Sequence, residues 1–295
     1  MLKKILTGFM LFLLSCPLMA FTIENNMLKD SRGNNIKLKE YNRIIILDPA
    51  VVETFYMIGA EDKIAAIGST AKSKIYPEEK TKNLPSVGNI VNMSLEKVLS
   101  FSPDLVILNV MSVNTETNLK NMNIPVIINE AGSFDEILEN IKIYGKITGK
   151  EKEAEKLYNI SVKKLENLKK NVEDKPLNLK GTLLYSTSPM MAFNSKSLPG
   201  QILDLLGVEN IADNLIGDKP IISSEFLLKE NPDFLGGAMS IKSSKDILNS
   251  SPVVKETKAG KNNNLFIVDS TKILRGSPRI FEAVEELYFE LRNIK

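Results

Sequence analysis

Two absences set the chemistry open to this chain. Its 295 residues contain no histidine and a single cysteine, Cys16. A Ser-His-Asp or Cys-His pair, the usual ligand set of a zinc hydrolase and an imidazole acid or base are all excluded. Carboxylates, lysines and tyrosines leave room for an enzyme working through paired acids, but no local motif argues for one. The acids that stand out do so by spacing. Glu96 in Ser94-Leu95-Glu96 and Glu225 in Ser223-Ser224-Glu225 each stand seven residues before a Pro-Asp pair, Pro103-Asp104 and Pro232-Asp233. A second match in the same order sets Ile58-Gly59-Ala60-Glu61 beside Leu206-Gly207-Val208-Glu209. Two ordered matches suggest a duplicated lobe.

The elements that would position these residues follow from hydrophobic patterning. Arg43-Ile44-Ile45-Ile46-Leu47 is a continuous apolar run of the kind buried in a parallel sheet, and it stops at Asp48-Pro49, where a helix over 50–58 begins. Strands are expected at 64–67, 104–109 and 124–128, and helices at 94–99 and 133–147. Residues 21–39 alternate around Ser31-Arg32-Gly33-Asn34-Asn35 and read as a hairpin. The stretch 151–172 has no glycine or proline, and Ala154, Tyr158, Leu165, Leu168 and Val172 fall on one side of a helix. About twenty residues at ~1.5 Å each span roughly 30 Å, long enough to reach from one lobe to another. Beyond it the order restarts: strands at 181–185, 233–237 and 265–268, helices at 199–206, 224–229 and 277–292, and a loop over 186–198. The expected fold is α/β, with two Rossmann-like lobes of mainly parallel sheet joined by one long helix and a ligand cleft between them. The lobes cover 21–149 and 174–295, with the linker at 150–173.

Lys3 and Lys4, an apolar run over 5–14 and then Ser15-Cys16-Pro17-Leu18-Met19-Ala20 read as an export signal over 1–20. The run is too short to span a bilayer stably. Leu18-Met19-Ala20 resembles a cleavage site that would leave a soluble periplasmic protein. Leu13-Leu14-Ser15-Cys16 resembles a lipobox, which would make Cys16 a lipid anchor. Without residues 1–20 the 38 basic side chains fall by Lys3 and Lys4 to 36, equal to the 36 acids. Balanced charge gives no electrostatic case for nucleic acid. Export, no catalytic imidazole or thiol, and a cleft between lobes together suggest capture of a small molecule outside the cytoplasm.

Arg43 to Glu53, Leu84-Pro85-Ser86-Val87-Gly88-Asn89, Ser94-Leu95-Glu96, Ser102-Pro103-Asp104-Leu105-Val106 and Gly276-Ser277-Pro278-Arg279 resemble the periplasmic binding proteins of iron-siderophore, haem and cobalamin ABC importers. The resemblance implies two lobes on one long helix, little motion on binding, and a monomer that serves an ABC permease with its cytoplasmic ATPase. It also implies that Glu96 and Glu225 dock to arginines on that permease, one carboxylate per lobe fixing orientation. The implied ligand is a metal chelate, a ferric siderophore first and cobalamin or haem second, with no intrinsic cofactor and no protein-bound metal. Haem-binding members carry Tyr after Val-Gly where this chain has Asn89, which counts against haem and leaves Tyr76, Tyr185 or a methionine to reach iron.

Strand ends and the loops after them nominate Pro49, Tyr76, Asn89, Tyr185, Met190, Phe193, Met239 and Arg275 as ligand-binding residues. Arg275, in the loop after the last strong strand, suits bidentate capture of an acidic group. Against the solute receptor stand a secreted carboxylate enzyme, which acids lining the cleft would favour, and an interaction protein with a filled cleft.

Overall fold

Residues 20–70 and 73–294 are described by a computed structural model. The expected export signal up to residue 19, Cys16 included, lies outside them. A small antiparallel sheet comes first: Phe21–Glu24 (β1), Met27–Asp30 (β2) and Asn35–Lys37 (β3), in that order. The expected single hairpin becomes three strands because Asn25 and Asn26 take positive φ, 49° and 61°, values asparagine tolerates, and turn the chain early. Asp30 accepts from the backbone of Asn34 (2.8 Å) and of Ile128 (2.9 Å), which fastens this sheet to the first lobe.

That lobe alternates strand and helix. Its elements are Ile44–Ile46 (β4), Pro49–Met57 (α1), Ile64–Ser69 (β5), Glu78–Thr81 (α2), Ser86–Asn89 (β6), Leu95–Ser100 (α3), Leu105–Asn109 (β7), Glu116–Asn121 (α4), Val126–Asn129 (β8) and Phe134–Thr148 (α5). The sheet order is β6-β5-β4-β7-β8, with every pairing parallel. Ile44 and Ile46 pack into one apolar cluster and Ile45 and Leu47 into another. Both faces of the sheet are covered, which is why its strands read as unbroken apolar runs.

Glu151–Asp174 forms one helix (α6). The second lobe then runs Lys180–Thr187 (β9), Met190–Ala192 (β10), Leu198–Leu205 (α7), Glu209–Asn210 (β11), Ser224–Glu230 (α8), Phe234–Gly237 (β12), Ser244–Leu248 (α9), Lys258–Lys261 (α10), Leu265–Ile267 (β13), Ser270–Ile273 (α11) and Ile280–Arg292 (α12). Its sheet order is β10-β9-β12-β13, with β11 also on the outer edge of β9. The sheet is parallel except for β10, which folds back antiparallel on β9 with a bulge. The expected loop over 186–198 is therefore partly strand. The final helix starts at Ile280 rather than Ser277, because residues 276–279 are engaged elsewhere.

Equivalent positions in the two lobes carry the same local geometry. Gly59 and Gly207 end helices with φ of 67° and 69°. Ser94 caps α3 through the Lys97 amide and Ser223 caps α8 through the Phe226 amide. Ser102 and Asn231 both take φ 46°. Asp104 accepts from the Asn42 and Arg43 amides (2.8 and 2.9 Å), and Asp233 from the Lys180 amide (2.9 Å), each at the start of its lobe's central strand.

The linker helix packs on α5 of the first lobe and α12 of the second. Ala154, Leu157, Ser161 and Leu168 are buried, Lys142 lies 3.7 Å from the Tyr158 ring centre, and the Tyr288 hydroxyl donates to the Asn171 carbonyl at 3.1 Å. One apolar cluster runs from Ile44 through Leu157 and Leu168 to Leu291, so the lobes share a core. At the crossing of α5 and α6, a Cβ on Gly145 would lie 2.5 Å from that of Ala154 and 3.2 Å from the Glu151 Cα. Backbone cannot yield as a side chain does. Gly145→Ala should therefore cost about 1–3 kcal/mol in urea unfolding; an unchanged midpoint would show that the helices are not held this close.

Candidate functional site

All five strands of the first lobe end on the same side. Asp48 follows β4, Thr70 follows β5, and Asn89, Asn109 and Asn129 are the last residues of β6, β7 and β8. All five line a cavity of about 950 Å³, with Pro49, Glu130 and Glu136 on the same wall. The second lobe answers with Tyr185 in β9, Met239 after β12, and Ile267 and Val268 at the end of β13. These line an adjoining cavity of about 1030 Å³. Ser73, Met239, Leu274 and Arg275 belong to both cavities, so the two make one interlobe cleft. Each is at the upper end of small-molecule pockets. One wall is rich in strand-end amides; the other mixes Met239, Ile241, Ile267 and Val268 with Ser240, Ser270, Thr271, Lys242 and Asp269.

Asp48 organises the polar wall. Its carboxylate caps α1 through the Ala50 amide (2.8 Å) and accepts from the side-chain amides of Asn109 (2.9 Å) and Asn129 (2.8 Å). Asn129 in turn accepts from Asn140 (3.1 Å) and from the Tyr144 hydroxyl. Burial pushes the Asp48 carboxyl above its ordinary value, against the pull of Asn129, the Ala50 amide, Asn109 and the charge of Arg275. Burial also lifts the Tyr144 hydroxyl well above its own, with Asp48 adding to the effect.

The seam between the lobes is closed by a carboxylate. Glu53, on α1, has no exposed surface. It is bound by three groups of the second lobe: the Arg275 guanidinium, the Ser277 hydroxyl (2.8 Å) and the Arg279 guanidinium (3.4 Å). A second nitrogen of Arg275 donates to the Ser73 hydroxyl at 2.9 Å. Next to it Gly276 passes so near Ala131 that a Cβ there would lie 2.4 Å from the Ala131 Cβ. Only glycine lets the loop reach the first lobe. The Gln201 amide adds a bond to the Gly132 carbonyl (2.8 Å).

Of the eight nominated ligand residues, Pro49, Asn89, Tyr185, Met239 and Arg275 line the cleft. Met239 holds φ 59° and is tied by its amide to the Ser270 hydroxyl (2.7 Å), a left-handed conformation that is costly for this side chain. Three nominations need correcting. Met190, in β10, is buried in the second lobe's core, and Phe193 is buried edge-on against Tyr185. The apolar residues after β9 turn inward because β10 pairs with β9. Tyr76 is 47% exposed and lies over the Arg279 guanidinium, 4.4 Å from ring centre to carbon, outside both cavities. Asp48, Asn109 and Asn129 were missed, though each ends an apolar strand: Ile46-Leu47-Asp48, Ile107-Leu108-Asn109 and Ile127-Ile128-Asn129. Glu53 was visible as the lone acid inside an apolar helix, but its partners lie 222 to 226 residues away.

Glu96 and Glu225 are exposed, in the first turns of α3 and α8, and neither has an ion pair among the described residues. One turn on, Leu99 (49% exposed) and Leu228 (44%) repeat the pairing of an acid with an apolar side chain on both lobes. Among the described residues no group of three or more His, Cys, Asp or Glu could hold a metal ion, and no helix is long and apolar enough to cross a membrane.

The raised value of Asp48 gives a signed pH dependence. Its folded pKa exceeds the unfolded value of about 3.9, so its contribution to stability is full below that value and falls as pH rises through the folded one. The destabilisation caused by Asp48→Ala in urea titrations should therefore be larger at pH 4 than at pH 7. A cost that grows towards neutrality would place the carboxylate in a stabilising, not a desolvating, site.

The periplasmic binding protein family is matched over residues 44–271. The uncharacterised ABC transporter substrate-binding lipoprotein YvrC of Bacillus subtilis is 27% identical, covering 88% of this chain and 82% of its own. The vitamin B12-binding protein of Vibrio parahaemolyticus is 24% identical, covering 86% and 90%. Among solved structures, the petrobactin-binding protein YclQ of Bacillus subtilis superposes with a TM-score of 0.74 at 22% identity, over 92% of this chain and 98% of its own. With the match spanning most of the two lobes and the linker between them, the chain belongs to the periplasmic binding protein family.

Proposed function

We propose that the chain is an extracytoplasmic receptor that captures a metal chelate in the interlobe cleft and delivers it to the permease of an ABC importer. The observation that carries this reading is the cleft itself: two adjoining cavities of about 950 and 1030 Å³, one wall of strand-end amides and acids and the other mixing apolar side chains such as Met239 and Ile267 with hydroxyls and the charged Lys242 and Asp269. Such a site recognises shape and amide or hydroxyl groups. A ligand held there would have to bring its own metal donors, as a siderophore does, and a ferric siderophore is the first reading. Cobalamin is the second, favoured by the vitamin B12-binding relative from Vibrio and by the number of amides on the polar wall. Either form of attachment, cleaved after Ala20 or anchored through Cys16, is compatible with the role.

The sequence has no tryptophan, so binding is best followed through the ligands' own visible absorbance. Titrating the purified protein with ferric siderophores, cyanocobalamin and haemin should give saturable one-to-one binding by at least one chelate. Absence of binding across the panel would remove the receptor reading.

Glu96 and Glu225 are proposed to dock on the permease, supported by their exposure, their equivalent places on the two lobes and the leucines beside them. Glu96→Arg combined with Glu225→Arg should abolish uptake by cells while leaving chelate affinity within about twofold, since rim charges set encounter and register rather than the cleft. Loss of affinity in the purified double variant would contradict a docking role.

A further inference from the structure

We infer that Glu53 determines which ligand charge the cleft accepts: by neutralising Arg275 it makes the cleft select neutral or cationic chelates over multiply anionic ones. This rests on the receptor reading and narrows its ligand class.

The charged residues lining the two cavities are Lys242 and Arg275 on the basic side and Asp48, Glu130, Glu136 and Asp269 on the acidic side. Arg275 is the basic residue common to both cavities, and therefore the group an acidic ligand would meet. Its guanidinium, however, is already in contact with a fully buried carboxylate. Glu53 is held on both oxygens: Arg279 donates to the same Oε1 as Arg275, and the Ser277 hydroxyl donates to Oε2. One carboxylate thus serves two guanidiniums. Of the two, Arg275 is the nearer to Glu53 and lines the cleft, whereas Arg279, 3.4 Å from Glu53 and under the Tyr76 ring, lines neither cavity.

The cleft keeps the negative charge. Burial works against the Asp269 carboxyl, but hydrogen bonds from the Thr271 hydroxyl (2.7 Å) and amide (2.8 Å), with Arg279 and Lys272 nearby, hold it below the usual carboxylate range. Glu136 accepts from the Gly132 amide (2.8 Å) and Glu130 from the Ser31 hydroxyl (2.6 Å). Neither acid is paired with a cation among the described residues. A multiply anionic chelate would meet Lys242 as the one cation lining the cleft that is not already engaged by a carboxylate among the described residues, against four acids on the same lining, and like charges at close range are strongly unfavourable away from bulk water. A neutral or cationic chelate meets no such barrier.

The test compares three ferric chelates of different charge, neutral ferrichrome, cationic ferrioxamine B and trianionic ferric enterobactin, with neutral cyanocobalamin beside them. Wild type should bind a neutral or cationic member and refuse the trianion. Glu53→Gln keeps the shape of the side chain and releases the Arg275 charge. It should raise affinity for the trianion relative to the neutral ligand by about tenfold or more, a gain that shrinks with added salt. Glu53→Asp keeps the charge and should keep the wild-type order; if it shifts the order as Gln does, packing and not charge is responsible and the inference falls. A wild type that prefers the trianion, or a folded Glu53→Gln protein with an unchanged order, overturns it. Should the Gln variant lack a cooperative urea transition, the wild-type order alone decides. Failure of every ligand to bind wild type overturns the receptor reading, and this inference with it.

Discussion

A carboxylate with no access to water, shared by two guanidiniums from the opposite lobe, is the contact on which the remaining arrangement turns. Desolvating Glu53 is affordable only because Arg275, Ser277 and Arg279 meet it together. Those three residues lie within five positions of one another, in the loop that Gly276 brings against Ala131. The loop cannot be moved without uncovering a buried charge. The seam is backed by a second constraint, the linker helix, packed on α5 at one end and α12 at the other with an apolar cluster continuous through both lobes. Two lobes tied at the seam and along the back leave a cleft of defined width.

The cleft is preformed in the same sense. Its polar wall is the set of strand ends of a parallel sheet, where backbone direction delivers one residue per strand to the same edge. Asp48 locks two of them, Asn109 and Asn129, into fixed orientations, so part of their ordering cost is met before any ligand arrives. Met239, held at positive φ by Ser270, is equally constrained on the opposing wall. A receptor built this way discriminates by shape, by amide and hydroxyl hydrogen bonds and by charge.

Much of this was legible in the sequence because parallel strands and capped helices leave local marks. The run Arg43-Ile44-Ile45-Ile46-Leu47 announced a strand buried on both faces, Ser94 and Ser224 announced helix starts, and the glycine-free stretch after Lys150 announced the linker. The repeated spacing of glutamate to Pro-Asp corresponds to matched caps, matched φ at Ser102 and Asn231 and matched aspartate bonds in the two lobes. What escaped was decided by strand pairing and by packing partners, some of them far off in sequence. Met190 and Phe193 looked like loop residues free to meet a ligand, but pairing of β10 with β9 turns them into the core. Tyr76 looked like cleft lining until Arg279, two hundred residues on, claimed its face. The polar wall is the instructive case, for the signal was present at the end of three separate strands and only their adjacency in the sheet makes it a site.

The most direct test of the account is a crystal structure of the protein with a bound chelate. It should show the ligand between the Asn109 and Asn129 wall and the Met239 and Ile267 wall, with Glu53 still bound to Arg275 and Arg279 and the lobes in the arrangement described. A chelate seated elsewhere on the molecule, or lobes that part and break the Glu53 contacts on binding, would contradict it.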